Sequence, residues 1–252
     1  MSGRLGGSGG GSSSDGLVVG SGPGGGPLPV ASLSSKSCYK LLLGLNLPRP
    51  HCVEKFLPFF GRWDWHYTWR SLHYLPIDRR VIDLNWKVAH GVVYTAERLA
   101  SFGYPFQLSC FCGSQPEDLG HLFFSCPLAQ SGIDWIQSLL FLYSPQCPSL
   151  TARHLLFGFS STELRSTPMV FSYLLNVCKY FIWLQRNDHR FRSGHPSALQ
   201  LIASIKARVS FYLPVFAKRF SSGRRRRFFL RQWAAGGLLG AFRDSTFVVS
   251  FP

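Results

Sequence analysis

Charge is scarce in this sequence. Of its 252 residues only 15% are Asp, Glu, Lys or Arg, against about a quarter in ordinary soluble domains. Acids are the scarcer sign: 12, against 27 Lys and Arg. No two Asp are adjacent, and after Cys126 the only carboxylates are Asp134, Glu163, Asp188 and Asp244. Phosphoryl-transfer chemistry at paired metal ions needs clustered acids, so no catalytic residue is assigned and the chain is read as a non-enzyme. Also missing is a charged segment leading into an apolar one at the start, MSGRLGGSGGGSSSDG, so a secretory signal is not expected. No uncharged apolar run reaches the ~18–20 residues of a membrane span; the best candidate, Met169 to Leu184, holds Lys179. The expectation is an intracellular chain, nuclear or cytoplasmic, with no membrane partner and no small-molecule substrate. Seven cysteines, an odd number without a signal peptide, exclude a disulfide framework and read as thiols or metal ligands.

What is present is a large apolar content, 46% hydrophobic and 15% aromatic, enough for a sizeable core. Residues 1–35 hold 12 of the 25 glycines and read as a disordered Gly/Ser leader. A mostly α-helical domain is expected over 36–215, followed by a basic tail over 216–252. Within the domain, Leu84, Val88 and Val92 predict a helix over 77–90, opened by Pro76 and closed near Gly91. Thr95 caps a short helix that ends at Gly103. Pro127 starts another, with Leu128, Ile133, Ile136, Leu139 and Leu140 as its apolar side. Two more are expected at 171–187 and 197–212, the latter ended by Pro214. Beyond Ser221 the sequence assigns no fold. The Trp-rich stretch from Trp63 to Trp86 reads as core, and His90 as a histidine satisfied by a local partner.

Cys110, Cys112, His121 and Cys126 form C-x-C-x8-H-x4-C. Three thiolates and an imidazole complete a tetrahedral set for Zn²⁺, and closed sets of this kind are structural. Gly113 lets the backbone bend back behind the first pair, and His121 to Cys126 lies on or near one helical turn. The competing reading is reduced thiols in an apolar pocket with a histidine nearby. Cys178 reads as core, and Cys38, Cys52 and Cys147 have no partner at ligand spacing. Glu117 and Asp118, between the two ligand pairs, read as solvated loop carboxylates.

The run CFCGSQPEDLGHLFFSCP, Cys110 to Pro127, resembles the zinc-binding module at the C-terminal end of non-LTR (LINE-type) retrotransposon reverse transcriptases. Three flanking segments are similar to those of that family. They are Lys36-Ser37-Cys38-Tyr39, the Trp86 to Thr95 run with its His90-Gly91, and Ile182-Trp183-Leu184-Gln185-Arg186-Asn187. The resemblance implies zinc as cofactor and Cys110, Cys112, His121 and Cys126 as its ligands. It also implies a module that follows a polymerase, whose Asp-Asp motif this chain lacks.

The charge points to a partner. Residues 179–252 carry 14 basic and 2 acidic side chains, a net of +12 out of the total of +15. Lys206, Arg208, Lys218, Arg219, Arg224, Arg225, Arg226, Arg227 and Arg231 are the expected contacts to RNA or DNA phosphates. The interleaved Phe211, Tyr212, Phe216, Phe220, Phe228, Phe229 and Trp233 are candidates to stack on unpaired bases. Two other readings stand beside this one: a protein-interaction module, and a transposable-element fragment without a function of its own.

Overall fold

In the computed structural model, residues 51–252 are described apart from 106, 114, 115, 148 and 221. Before residue 51, only 18–21, 27–29, 34–36, 39 and 50 are described. In that first part Val18–Ser21 (β1) pairs antiparallel with Pro27–Pro29 (β2); apart from Ser34 and Ser35, the rest of the expected leader lies outside the described residues.

From residue 51 the chain is helical, as the sequence predicts. Its elements are α1 (His51–Phe60), α2 (Trp65–Tyr74), α3 (Arg79–His90), α4 (Ala96–Ser101), α5 (Pro127–Tyr143), α6 (Ala152–Phe157), α7 (Met169–Arg192), α8 (Ala198–Ala217) and α9 (Gly223–Trp233). A closing hairpin pairs β3 (Gly240–Arg243) with β4 (Thr246–Val249). Local chemistry sets the boundaries. Asp78, and not Pro76, caps α3, its carboxylate accepting from the Arg80 and Val81 N–H groups at 3.1 Å. Gly91 ends that helix in the left-handed region, φ 65°, where a Cβ is disfavoured. Thr95 caps α4, and Pro127 occupies the first position of α5.

The core is organised around α7. It packs against α3, α5, α6, α8 and α9 and is buried all round from Val170 to Tyr180, where most side chains are apolar. It runs five residues beyond the expected end, as far as Arg192. Lys179, the charge that interrupts its apolar run, points inward and is 2% exposed. It lines a small cavity with Asn85, Ser172 and Asn176, and burial pushes its pKa down to about 7. The unfolded chain, with a lysine near 10.4, therefore holds more protons across this window, and stability should rise as pH increases from about 7 towards 10. Lys179→Met should raise stability by about 1–4 kcal/mol at pH 7 and flatten that rise. Urea melts at pH 7 and 9.5 check both; a destabilised variant contradicts the assignment.

Two further differences have physical causes. Pro214 does not end α8, which continues to Ala217. Leu213 and Ala217 are both buried, and this burial holds the last turn together against the proline's missing donor. The segment beyond Ser221, to which the sequence assigned no fold, is packed into the molecule. Phe229 of α9 meets Phe216, Phe220, Phe242 and Phe247, with ring centroids 4.9–6.2 Å apart. Trp233 sits edge-on to Phe216 at 4.9 Å, and β4 lies against α8. The two buried aromatics of α9 are four residues apart and share one face, but four consecutive arginines dominate the composition there and masked that pattern. Among the described residues α8 alone is long and apolar enough to cross a membrane by length and composition. It carries Lys206 and Arg208 at mid-length, and Leu201, Ile205, Val209 and Leu213 face the core.

Candidate metal centre

The first two cysteines sit on a tight turn. Ser109 and Pro116 form a bridge, and within it the Gly113 N–H donates to the Cys110 carbonyl at 2.9 Å with Gly113 at φ 76°. The second pair sits on a π-turn, His121–Ser125. Residues five apart on an α-helix point about 140° away from each other, so an ordinary helical turn would part His121 from Cys126. The wider turn, closed by the Cys126 N–H to the His121 carbonyl at 2.7 Å, stacks them instead. Such π-turns are frequent at functional sites. Asp118 starts the turn by accepting from the His121 N–H at 2.6 Å, so this carboxylate is a cap. Leu122 and Phe123, between the ligands, are fully buried in the core.

The four ligand atoms lie within 4.8 Å of one another. Cys110 Sγ and Cys126 Sγ are 3.9 Å apart, and Cys112 Sγ is 3.3 Å from His121 Nε2. Tetrahedral Zn²⁺ with bonds of about 2.3 Å to sulfur places its sulfurs roughly 3.8 Å apart, so the set fits such an ion. Cys126 is also the N-cap of α5, and the thiol is held below its ordinary pKa by the hydrogen bond from Cys110 and by the Leu128 and Ala129 backbone. The same shared proton, with burial, pushes Cys110 up. A helix N-terminus favours a thiolate. His121 Nδ1 is buried with no hydrogen-bond partner among the described residues.

Glu117 is not a solvated carboxylate. It is 0% exposed. Arg186 of α7 grips it through Nε at 3.0 Å and Nη2 at 2.5 Å to Oε1, and Arg190, one turn on, reaches Oε2 at 3.2 Å. Its Oε1 also accepts from the Ala96 N–H at the start of α4 at 3.0 Å. Arg186 Nη2 donates to the Tyr94 carbonyl at 3.2 Å, and Arg190 Nη2 to the Ser109 carbonyl at 2.5 Å. The buried acid and two arginines therefore fasten the cysteine loop to α7 and α4. The Glu117–Arg186 pair joins two of the sequence motifs noted above, across 69 residues.

The other singled-out residues separate cleanly. His90 stacks between Trp69 and Trp86, centroids 4.2 and 3.9 Å away, with Nδ1 on the Trp86 carbonyl. Trp63, Trp65 and Trp69 pack against the core, whereas Trp86 is 44% exposed. Cys178 and Cys52 are buried and Cys147 is partly so; Cys38 lies outside the described residues. One titratable cluster was not visible in the sequence: His154 with Glu163. His154 Nδ1 accepts from the Thr151 N–H at 3.0 Å, so Nε2 carries the proton and donates to Glu163 at 3.1 Å. Burial lowers the histidine pKa. With both nitrogens committed, this is a joint between α6 and the following turn and not an acid–base pair.

The basic residues divide. Arg208 pairs with Asp78 at 2.8 Å, and Lys206 lies over the Trp135 and Phe251 rings. Arg226 lies over Phe242 and donates to the Asp244 carbonyl. Lys218, Arg219, Arg224, Arg225, Arg227 and Arg231 are exposed. Of the interleaved aromatics, Phe229 and Trp233 are buried and cannot stack on a base, whereas Phe211 and Phe228 are exposed.

Residues 33–132 match the family described as zinc-binding in reverse transcriptase. The chain is also similar to an uncharacterized 149 kDa protein of transposon TX1 from Xenopus laevis, 26% identical over 215 residues that cover 79% of this chain and 15% of that relative. It thus spans about 15% of that relative's length. No solved structure matches.

Proposed function

We propose that the chain is a non-catalytic module in which Cys110, Cys112, His121 and Cys126 hold Zn²⁺ and a basic face contacts RNA or DNA, a reading supported by the match of residues 33–132 to the reverse-transcriptase zinc-binding model. The metal would supply folding energy to a loop that has little core of its own. The match to a zinc-binding domain and the absence of clustered acids support a binding role without catalysis.

One observation carries the nucleic-acid half. Arg224, Arg225, Arg227 and Arg231 project from α9 into solvent, and no carboxylate pairs with them among the described residues, while α9 itself is anchored by Phe229 and Trp233. A fixed helix presenting unpaired cations displaces counterions from phosphates. Because α9 and the hairpin belong to the core, the test uses substitutions and not removal of the segment. Arg224→Ala/Arg225→Ala/Arg227→Ala should leave the melting curve unchanged. Fluorescence anisotropy should show oligonucleotide affinity falling, with the slope of log K against log salt reduced by about 2. An unchanged slope contradicts the basic face as the contact.

A further inference from the structure

The helices α7 and α8 run antiparallel, joined by residues 193–197, and their outer seam is open. Three clefts lie along it end to end. The first, about 640 Å³, is bounded by Leu184, Phe191 and Gln200; the second, about 320 Å³, by Phe211. Phe181 and Ser204 line both. Arg208 continues the second into a third, about 360 Å³, that ends at Arg79 and Arg80 on the first turn of α3. Phe191 is 65% exposed and Phe211 68%, and Phe181 and Phe191 stand about 15 Å apart along α7 by helical rise.

Cations stand at both ends of this groove: Arg192 at one, Arg79 and Arg80 at the other. No ion pair occupies these three among the described residues. Of the two acids that line the groove, Asp78 is taken up by Arg208, leaving Asp188. Flat apolar rings open to water, spaced along a channel flanked by unpaired arginines, suit a strand whose bases have free faces and whose backbone is anionic. A duplex has no such free base faces to offer.

We propose that the α7–α8 groove seats a single-stranded segment of RNA or DNA, with Phe191 and Phe211 as stacking platforms and Arg79, Arg80 and Arg192 on its phosphates. The site rests on the nucleic-acid reading above and is lined by none of the arginines of α9.

Anisotropy on the full chain with labelled 15-mers of oligo(dT) and oligo(U), and with a 15-base-pair duplex, tests it. Both single strands should bind more tightly than the duplex, and their ratio identifies which of RNA or DNA is preferred. Phe191→Ala/Phe211→Ala should weaken single-strand binding about tenfold or more without changing the salt slope or the melting curve. Arg79→Ala/Arg80→Ala/Arg192→Ala should lower that slope by about 2. If the phenylalanine variant binds like wild type, or the duplex binds as well as the strands, the groove is not a strand site and its apolar face is left to a protein partner. In that case loss of binding in the Arg224/Arg225/Arg227 variant would still support the broader reading. If the wild-type chain binds no oligonucleotide, both fail.

Discussion

Cys126→Ser should yield a chain that retains no zinc and melts at least 8 °C or so below wild type. Cys126 is both one of the four clustered ligand residues and the cap of α5, with its side chain fully buried. Structural zinc contributes about 10–16 kcal/mol to the folding of small zinc-finger peptides. Here the large α7-centred core, which Leu122 and Phe123 of the loop join, adds stability of its own, so a smaller share, about 4 kcal/mol or more, should appear as lost stability. In a domain of this size each kcal/mol shifts the midpoint by about 2–4 °C. Calorimetry with and without a chelator provides the control. Chelation should bring wild type down to the variant's midpoint and leave the variant where it is. If the chelator does not move the wild-type midpoint, the four residues do not hold a structural metal.

Glu117→Gln should cost about 3–5 kcal/mol, although it removes no atom of volume. Arg186 is only 1% exposed, and Arg190 donates to the same carboxylate. With the charge gone, two guanidinium groups face each other in a site closed to solvent, and the Ala96 N–H keeps only a neutral acceptor. The loop carrying Cys110 and Cys112 then loses its fastening to α7, so zinc affinity should fall as well, by about 10–100-fold as for other residues that position metal ligands. A double variant, Glu117→Gln/Arg186→Met, should recover part of the stability, since it removes the uncompensated charge. Urea denaturation of Glu117→Gln, Arg186→Met and the double variant measures the coupling. A loss under about 1 kcal/mol in Glu117→Gln contradicts a buried clamp.

Where the sequence was legible, the cause was local. Thr95 as a cap, Gly91 as a helix end and Pro127 as a helix start act within a few residues of themselves, and each has its expected place, whereas α3 is capped by Asp78, two residues past the expected Pro76. The C-x-C-x8-H-x4-C spacing was legible because four metal-ligating side chains fall within seventeen residues, and the structure brings all four together. What the spacing hid was the π-turn: the four residues between His121 and Cys126 fit an ordinary helix poorly, and that misfit was the available signal. Glu117 was misread for a different reason. Its partners lie 69 and 73 residues further along the chain, and nothing in a loop's own composition shows that a distant helix will close over it. In a chain with so few acids, a carboxylate between ligand pairs was the one hint. Beyond Ser221 the reading failed through composition. Four arginines in a row dominate the reading of α9, while the two side chains that decide its packing, Phe229 and Trp233, are a minority.

Zinc-edge X-ray absorption on the purified chain is the most direct test of the metal centre. One zinc per molecule is expected, with three sulfurs at about 2.3 Å and one nitrogen at about 2.0–2.1 Å, and Cys112→Ser should abolish the signal. A chain that purifies without zinc, or that holds it through oxygen ligands with the cysteines free to react with a thiol reagent, would contradict the assignment.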